Sequence, residues 1–166
     1  MSIIIKPLET EEEARGQAYV HYHAWQETYS GLVDRSYLER MSLETSERYA
    51  MRAFQYGFYS TLVAKDGERV IGFASYGPYR GDDLEGAGEV FAIYTLKEYY
   101  DRGIGRAMME TALSKLTGYS RVCVWVLWGN ERAIRFYSRC GFSPDGAQKT
   151  LKLGTEVTEI RMLREM

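Results

Sequence analysis

Apolar and polar positions change period several times along the chain, and those changes mark its elements. Ser2 to Pro7 is a short apolar run of β type. Thr10 opens a helix, with Glu13 three residues later completing a capping box. Ala14, Ala18, Tyr22, Trp25 and Tyr29 recur at spacings of three and four, so they share one helical face that Gly31 ends. A second helical stretch begins near Ser42 and carries Tyr49, Ala53 and Tyr56. The period then drops to two. Ser60 to Ala64 reads as a strand, Asp66-Gly67 as a tight turn, and Val70 to Tyr76 as the returning strand. Pro78 to Gly88 is a loop made acidic by Asp82, Asp83 and Glu85. Glu89 to Leu96 is a strand and Gly103 to Leu116 a helix, with Ile104, Met108, Ala112 and Leu116 on one face. Arg121 to Trp128 is apolar on both faces, which predicts a central, covered strand. Asn130 caps a helix from Glu131 to Cys140 that Gly141 ends in a left-handed conformation. Gln148 to Leu153 and Val157 to Leu163 form a hairpin around Gly154. The order β, α, α, ββ, βα, βα, ββ predicts an α/β (α+β) fold. Its central sheet is mixed and mostly antiparallel, with about seven strands and helices on both faces.

Composition narrows the function classes. The 166 residues carry 45% hydrophobic and 27% charged side chains and a net charge of −2, which suits one domain, 1–166, with an ordinary core. Nothing in that charge suggests nucleic acid, whose phosphates are met by clustered Lys and Arg. The longest apolar run, Val122 to Trp128, has 7 residues and is too short to span a bilayer. The apolar stretch at the N-terminus is too short for a signal peptide. Cys123 and Cys140 allow neither a disulfide framework nor a four-cysteine zinc site. A cytoplasmic protein with no membrane partner is the expectation. Tyrosine is in surplus: 14 residues, 9 of them before position 80.

The chemical signal lies in Tyr100-Asp101-Arg102-Gly103-Ile104-Gly105-Arg106-Ala107, after a strand and opening a helix. Two glycines let a ligand approach the backbone, and first-turn N–H groups with the helix dipole favour a phosphate. Arg102 and Arg106 add positive charge. No Gly-Lys-Ser/Thr follows, so this is not a Walker loop, and Met108 stands where a dinucleotide fingerprint needs its third glycine. Such a Gly-x-Gly also suits an ordinary turn that starts a helix.

A second constellation, Asn130-Glu131-Arg132-Ala133-Ile134-Arg135-Phe136-Tyr137-Ser138-Arg139-Cys140-Gly141-Phe142, decides between them. Together the two segments resemble the GNAT superfamily of acetyl-CoA-dependent N-acetyltransferases. That family has a pyrophosphate loop Gln/Arg-x-x-Gly-x-Gly/Ala and a later Asn-x-x-Ala-x-x-Phe-Tyr-x-x-x-Gly-Phe. The later motif matches at every specified position. The earlier one matches at Gly103 and Gly105 but has Tyr100 where Gln or Arg is usual, leaving one phosphate contact to Arg102 or Arg106.

The resemblance implies transfer of acetyl from acetyl-CoA to a primary amine by direct attack in a ternary complex, without a metal. Asp101 to Ala107 would take the pyrophosphate, and Ile93, Tyr94 and Thr95 the pantetheine arm, with Asn130, Ala133 and Phe136 beside it. A backbone N–H of that strand would polarise the thioester carbonyl. An amine is mostly protonated at pH 7, so a base is needed, and Glu89 stands where several members carry one. An exposed strand-start charge is the other reading of Glu89. Tyr137 occupies the family's general-acid position; its other reading is a packed aromatic beside Ala133. The acceptor pocket in this family is walled by the first two helices and the last hairpin, which points to Trp25, Glu27, Tyr29 and His23.

Other features yield less. His21 and His23 lie two apart on a helix, point to different faces and lack a third ligand nearby, so no metal is expected. The acceptor is a small-molecule amine or a peptide. Asp82, Asp83 and Glu85 are a solvated turn, or they attract a cationic acceptor such as a polyamine or aminoglycoside. The alternatives are a protein N-terminal or lysine acetyltransferase, and a non-catalytic acyl-CoA sensor. A homodimer is compatible with the family.

Overall fold

The computed structural model describes residues 2–166. In chain order the elements are β1 (Ile3–Pro7), α1 (Glu11–Thr28), α2 (Arg35–Arg40), α3 (Leu43–Tyr56), β2 (Ser60–Asp66), β3 (Arg69–Pro78), β4 (Ala87–Thr95), α4 (Ile104–Ser114), β5 (Arg121–Leu127), α5 (Glu131–Arg139), β6 (Ser143–Leu153) and β7 (Thr155–Glu165). A single 3-10 turn, Lys97–Tyr99, separates β4 from α4. The strands form one sheet ordered β1-β2-β3-β4-β5-β7-β6. Every neighbouring pair is antiparallel except β4 with β5. The mixed, mostly antiparallel seven-stranded sheet expected from the pattern is therefore what forms.

Local chemistry explains most boundaries. Thr10 Oγ1 accepts from the Glu13 amide at 3.1 Å, starting α1. The reciprocal half of the capping box is absent. Glu13 instead accepts from the Glu9 amide at 2.8 Å and from Lys6 and Lys65 at 2.8 Å and 3.2 Å. Two ammonium groups attract its carboxylate more strongly than one neutral amide does. Asn130 Oδ1 caps α5 through the Ala133 amide. Ser42 caps α3, which ends at Gly57 in the left-handed region.

The pattern missed α2, a six-residue helix too short to show a period. On α3 Ala53 is buried, but Tyr49 and Tyr56 are 62% and 68% exposed. The inner face is Ser46, Ala50 and Ala53, small residues that let α3 lie close on α1. The β2–β3 turn is Gly67-Glu68, because Asp66 pairs with Arg69. β5 lies between β4 and β7 and buries both faces. Val122, Val124 and Val126 meet Met109, Ala112 and Leu113 of α4, with Tyr137 of α5. Leu127 packs with Trp25 and Tyr29 from the end of α1. Helices thus cover both faces of the sheet. Gly16 lets α1 press onto β3, since a Cβ there would lie 2.6 Å from Val70 Cγ2. Among the described residues no helix is long and apolar enough to cross a membrane.

Candidate active site

The parallel pair at the centre of the sheet is incomplete. β4 and β5 match only Ala87, Gly88 and Glu89 with Arg121, Val122 and Cys123. Beyond Glu89, β4 follows β3 as far as Thr95, while β5 runs with β7. A bulge at Phe91, between the pairs Ser75–Ala92 and Tyr76–Val90, turns β4 at the point of divergence. The edge of β4 from Val90 to Thr95, including Ile93, Tyr94 and Thr95, thus lines a wedge without a ladder partner from β5. An unpaired strand edge suits an extended ligand bearing amide groups.

The start of α4 closes one end of this wedge. Gly103 caps it at φ 76°, and Asp101 is a non-glycine residue at φ 63°. Left-handed backbone at a non-glycine residue costs energy and tends to gather at functional turns. The amides of Ile104, Gly105 and Arg106 have no intrahelical partner, as at any helix start. The helical ladder begins with the Ala107 amide on the Gly103 carbonyl at 3.1 Å. A Cβ on Gly105 would stand 3.3 Å from Phe136 of α5, so a side chain there would crowd the space before the amides. Arg132 lies over the Tyr100 ring at 3.8 Å and approaches Asp101 at 3.7 Å. Tyr100, at the position where Gln or Arg was expected, thus holds a guanidinium from α5 beside the loop. Arg102 donates to the Glu98 carbonyl, and Arg106 pairs with Glu110 along the helix. These free amides, the side-chain-free approach and the added cations fit a pyrophosphate.

Tyr137 is buried between Phe136 and Phe142, with ring centroids at 5.4 Å and 6.0 Å. Burial pushes its phenol well above the ordinary range, and Tyr29, Cys140 and Glu159 nearby act the same way. The phenol therefore keeps its proton across the ordinary pH range. Across the wedge the Tyr29 and Tyr94 hydroxyls share a hydrogen bond of 2.9 Å that ties the end of α1 to β4. Trp25 packs on Tyr29 at 4.4 Å. Glu27 is exposed and lines a separate hollow with Tyr19, His23, Arg69 and Lys97. The structure therefore brings Trp25 and Tyr29 together and leaves Glu27 and His23 apart from them. His21 and His23 do diverge: His21 turns inward toward Phe73 and Tyr94, and His23 stacks on Tyr19.

Glu89 is 1% exposed, which rules out a solvated strand-start charge. Its Oε1 accepts from the Arg80 amide at 3.1 Å and Nε at 3.2 Å, and its Oε2 from Nη2 at 2.7 Å. The same face carries a polar group that periodicity did not single out. Arg161 of β7 donates to Asp145 at 2.7 Å, and to Asp83 and Tyr79 at 2.8 Å and 3.1 Å. It clamps the β3–β4 loop onto the β6–β7 hairpin. Glu159, two residues before it, stands opposite Leu127 of β5 and Lys149 of β6. The signal was present in the sequence. Glu159 and Arg161 alternate with Ile160 and Met162, so they share the strand face that also holds Val157 and Leu163.

The sequence profile of the Acetyltransferase (GNAT) family matches residues 12–142, which include both constellations and most of the wedge. The chain belongs to the GNAT family. It is 33% identical over 138 residues to the N-acetyltransferase YuaI of Bacillus subtilis, an alignment covering 81% of this chain and 76% of that protein. In fold it is similar to the PaiA N-acetyltransferase of Thermoplasma acidophilum in complex with coenzyme A. That similarity has a TM-score of 0.74 at 22% identity over the whole of both chains. It is also similar to YncA of Salmonella typhimurium with its cofactor acetyl-CoA, with a TM-score of 0.73 at 18% identity, covering 99% and 94%. This GNAT acetyltransferase therefore has the family's sheet and helices throughout its described residues, including 2–59, where its motifs are silent.

Proposed function

We propose that this acetyltransferase moves an acetyl group from acetyl-CoA to a small primary amine by direct attack in a ternary complex. The observation that carries this reading is the wedge between β4 and β5, bounded by the bare amides of α4 and by Tyr137. Asp101 to Ala107 hold the pyrophosphate, with Arg132 adding charge. Ile93, Tyr94 and Thr95 offer the pantetheine arm a strand edge, and Asn130, Ala133 and Phe136 border it. Acetyl-CoA supplies a thioester whose acyl group is ready for aminolysis. Tyr137 donates its proton to the departing sulfur. A carboxylate takes a proton from the acceptor ammonium, and two lie on the face between α1 and the last hairpin: Glu89 and Glu159. Trp25 and Tyr29 wall that face. The Arg161 clamp supports a small acceptor, because it draws the β3–β4 loop across ground that a peptide would need open.

The test is release of free CoA thiol from acetyl-CoA, with a panel of small primary amines and of peptides. Release with small amines and none with peptides is the expected result. Release with peptides alone would replace this acceptor class. Tight acetyl-CoA binding with no release on any acceptor would make the protein a sensor.

A further inference from the structure

We propose that Glu159, rather than Glu89, receives the acceptor's ammonium group and takes its proton; this rests on the amine-acetylation reading above. Glu89 has no room for the task. Both oxygens are engaged by Arg80, with three donors between 2.7 Å and 3.2 Å, and the residue is 1% exposed. A carboxylate held by a bidentate guanidinium has its lone pairs committed to that partner. An ammonium would have to displace the guanidinium first.

Glu159 lies further along the sheet, beside the open part of the wedge. It pairs across the sheet with Leu127, four residues beyond Cys123, the last β5 residue matched to β4. At that level β4 has diverged and the wedge is open. Glu159 shares its sheet face with Leu127 and Val157, against which Tyr29 packs. Its ion pair with Lys149 is a long 3.7 Å contact, and the side chain keeps 20% of its surface exposed. The Lys149 ammonium is also drawn over the Trp125 ring, at 4.2 Å. Glu159 is therefore buried enough to exclude bulk water and open enough to be reached. The charged and titratable groups around it are Lys149 from β6, Arg80 and Glu89 from the β3–β4 side, Tyr29 from the end of α1 and Tyr137 from α5. Burial raises its carboxyl, Lys149 and Arg80 oppose that, and Glu89 adds to it. The balance gives a carboxylate more basic than a surface one, as a base working near neutral pH needs to be.

The steps balance. The R–NH3+ group gives one proton to the Glu159 carboxylate. The freed lone pair forms the N–C bond to the acetyl carbon as the C–S bond breaks. The sulfur leaves with the Tyr137 hydroxyl proton, and the phenolate regains one from the new amide nitrogen. Glu159 then returns its proton to water.

The test compares Glu159→Gln with Glu89→Gln in the full chain, using acetyl-CoA and n-butylamine. Glu159→Gln should bind acetyl-CoA as the wild type does by calorimetry, and lose about 100-fold in thiol release at pH 7. Most of that should return by pH 9, as the free-amine fraction rises about tenfold per pH unit and needs no base. A merely structural role would not produce that rescue. Glu89→Gln, whatever activity it loses through its freed Arg80 partner, should show no selective recovery toward pH 9. An unchanged profile in Glu159→Gln, or the loss with its recovery appearing in Glu89→Gln instead, would overturn the proposal. A readout independent of turnover uses protein labelled with carbon-13 at the glutamate carboxyls and saturated with CoA. The signal absent from Glu159→Gln should shift, and its midpoint fall, when n-butylammonium is added. No shift would overturn the assignment to Glu159. A shift without thiol release on any amine would keep Glu159 as the ammonium site and overturn the acyl-transfer reading.

Discussion

Glu13 anchors α1 to the edge of the sheet, and its removal tests whether that anchor holds the helix that walls the acceptor face. Burial alone would raise its carboxyl. Lys6, the Glu9 amide and Lys65 outweigh burial and hold it at about 2, against an ordinary 4.5. The folded value is depressed, so the stabilisation is fully present above the unfolded value and is lost as pH falls through the folded one. That depression corresponds to roughly 3 kcal/mol at pH 7, falling to about 1 kcal/mol at pH 3 and to less than that at pH 2. Lys6 and Lys65 are 27% and 16% exposed, so solvent screening trims the first figure. About 2–3 kcal/mol is the expected loss at neutral pH for Glu13→Gln. Urea unfolding of both proteins at pH 7, 4 and 3 measures it. Their midpoints should be well apart at pH 7 and converge on acidification. A constant gap, or no gap at pH 7, would refute the argument.

Tyr137→Phe should lower thiol release about 10²- to 10⁴-fold while leaving acetyl-CoA binding unchanged; unchanged turnover would remove Tyr137 from the acid role. Gly105→Val should weaken acetyl-CoA binding about 10- to 100-fold, through crowding against Phe136 and loss of charge-assisted amide bonds, as read by calorimetry; wild-type affinity would contradict the phosphate assignment. Arg161→Met removes the cation that Asp145 and Asp83 share and frees the loop before β4. Hydrogen exchange over residues 79–86 should rise, and unchanged protection would mean that other contacts hold the loop. Cys123, with its thiol pushed up to about 12 mainly by burial, should resist iodoacetamide in the folded protein at pH 8 and react once unfolded.

The chain's own pattern determined its elements and their chemistry at short range. Periods of two and of three to four separate strands from helices because side chains alternate across a strand and wind around a helix. Asn130 and Thr10 read as caps because a cap is satisfied within three residues. The two motifs were legible because the amides of one turn and the face of one helix are local features. Tertiary structure decided what depends on distance across the sheet. The divergence of β4 from β5 goes with the bulge at Phe91, which turns β4 along β3 while β5 stays paired with β7, a segment 32 to 44 positions away. Arg80 closing over Glu89 was invisible because it turns on how a loop packs. The placement of Glu159 beside Tyr29 and Tyr137 joins β7 to the ends of two helices. The tyrosine surplus divides along the same line. Its count was readable from composition, but only packing separates the buried Tyr137 and the half-buried Tyr29 and Tyr94 around the wedge from Tyr49 and Tyr56 on the surface. A side chain's type is written in the sequence, whereas its protonation and its neighbours are set by the groups that folding brings around it.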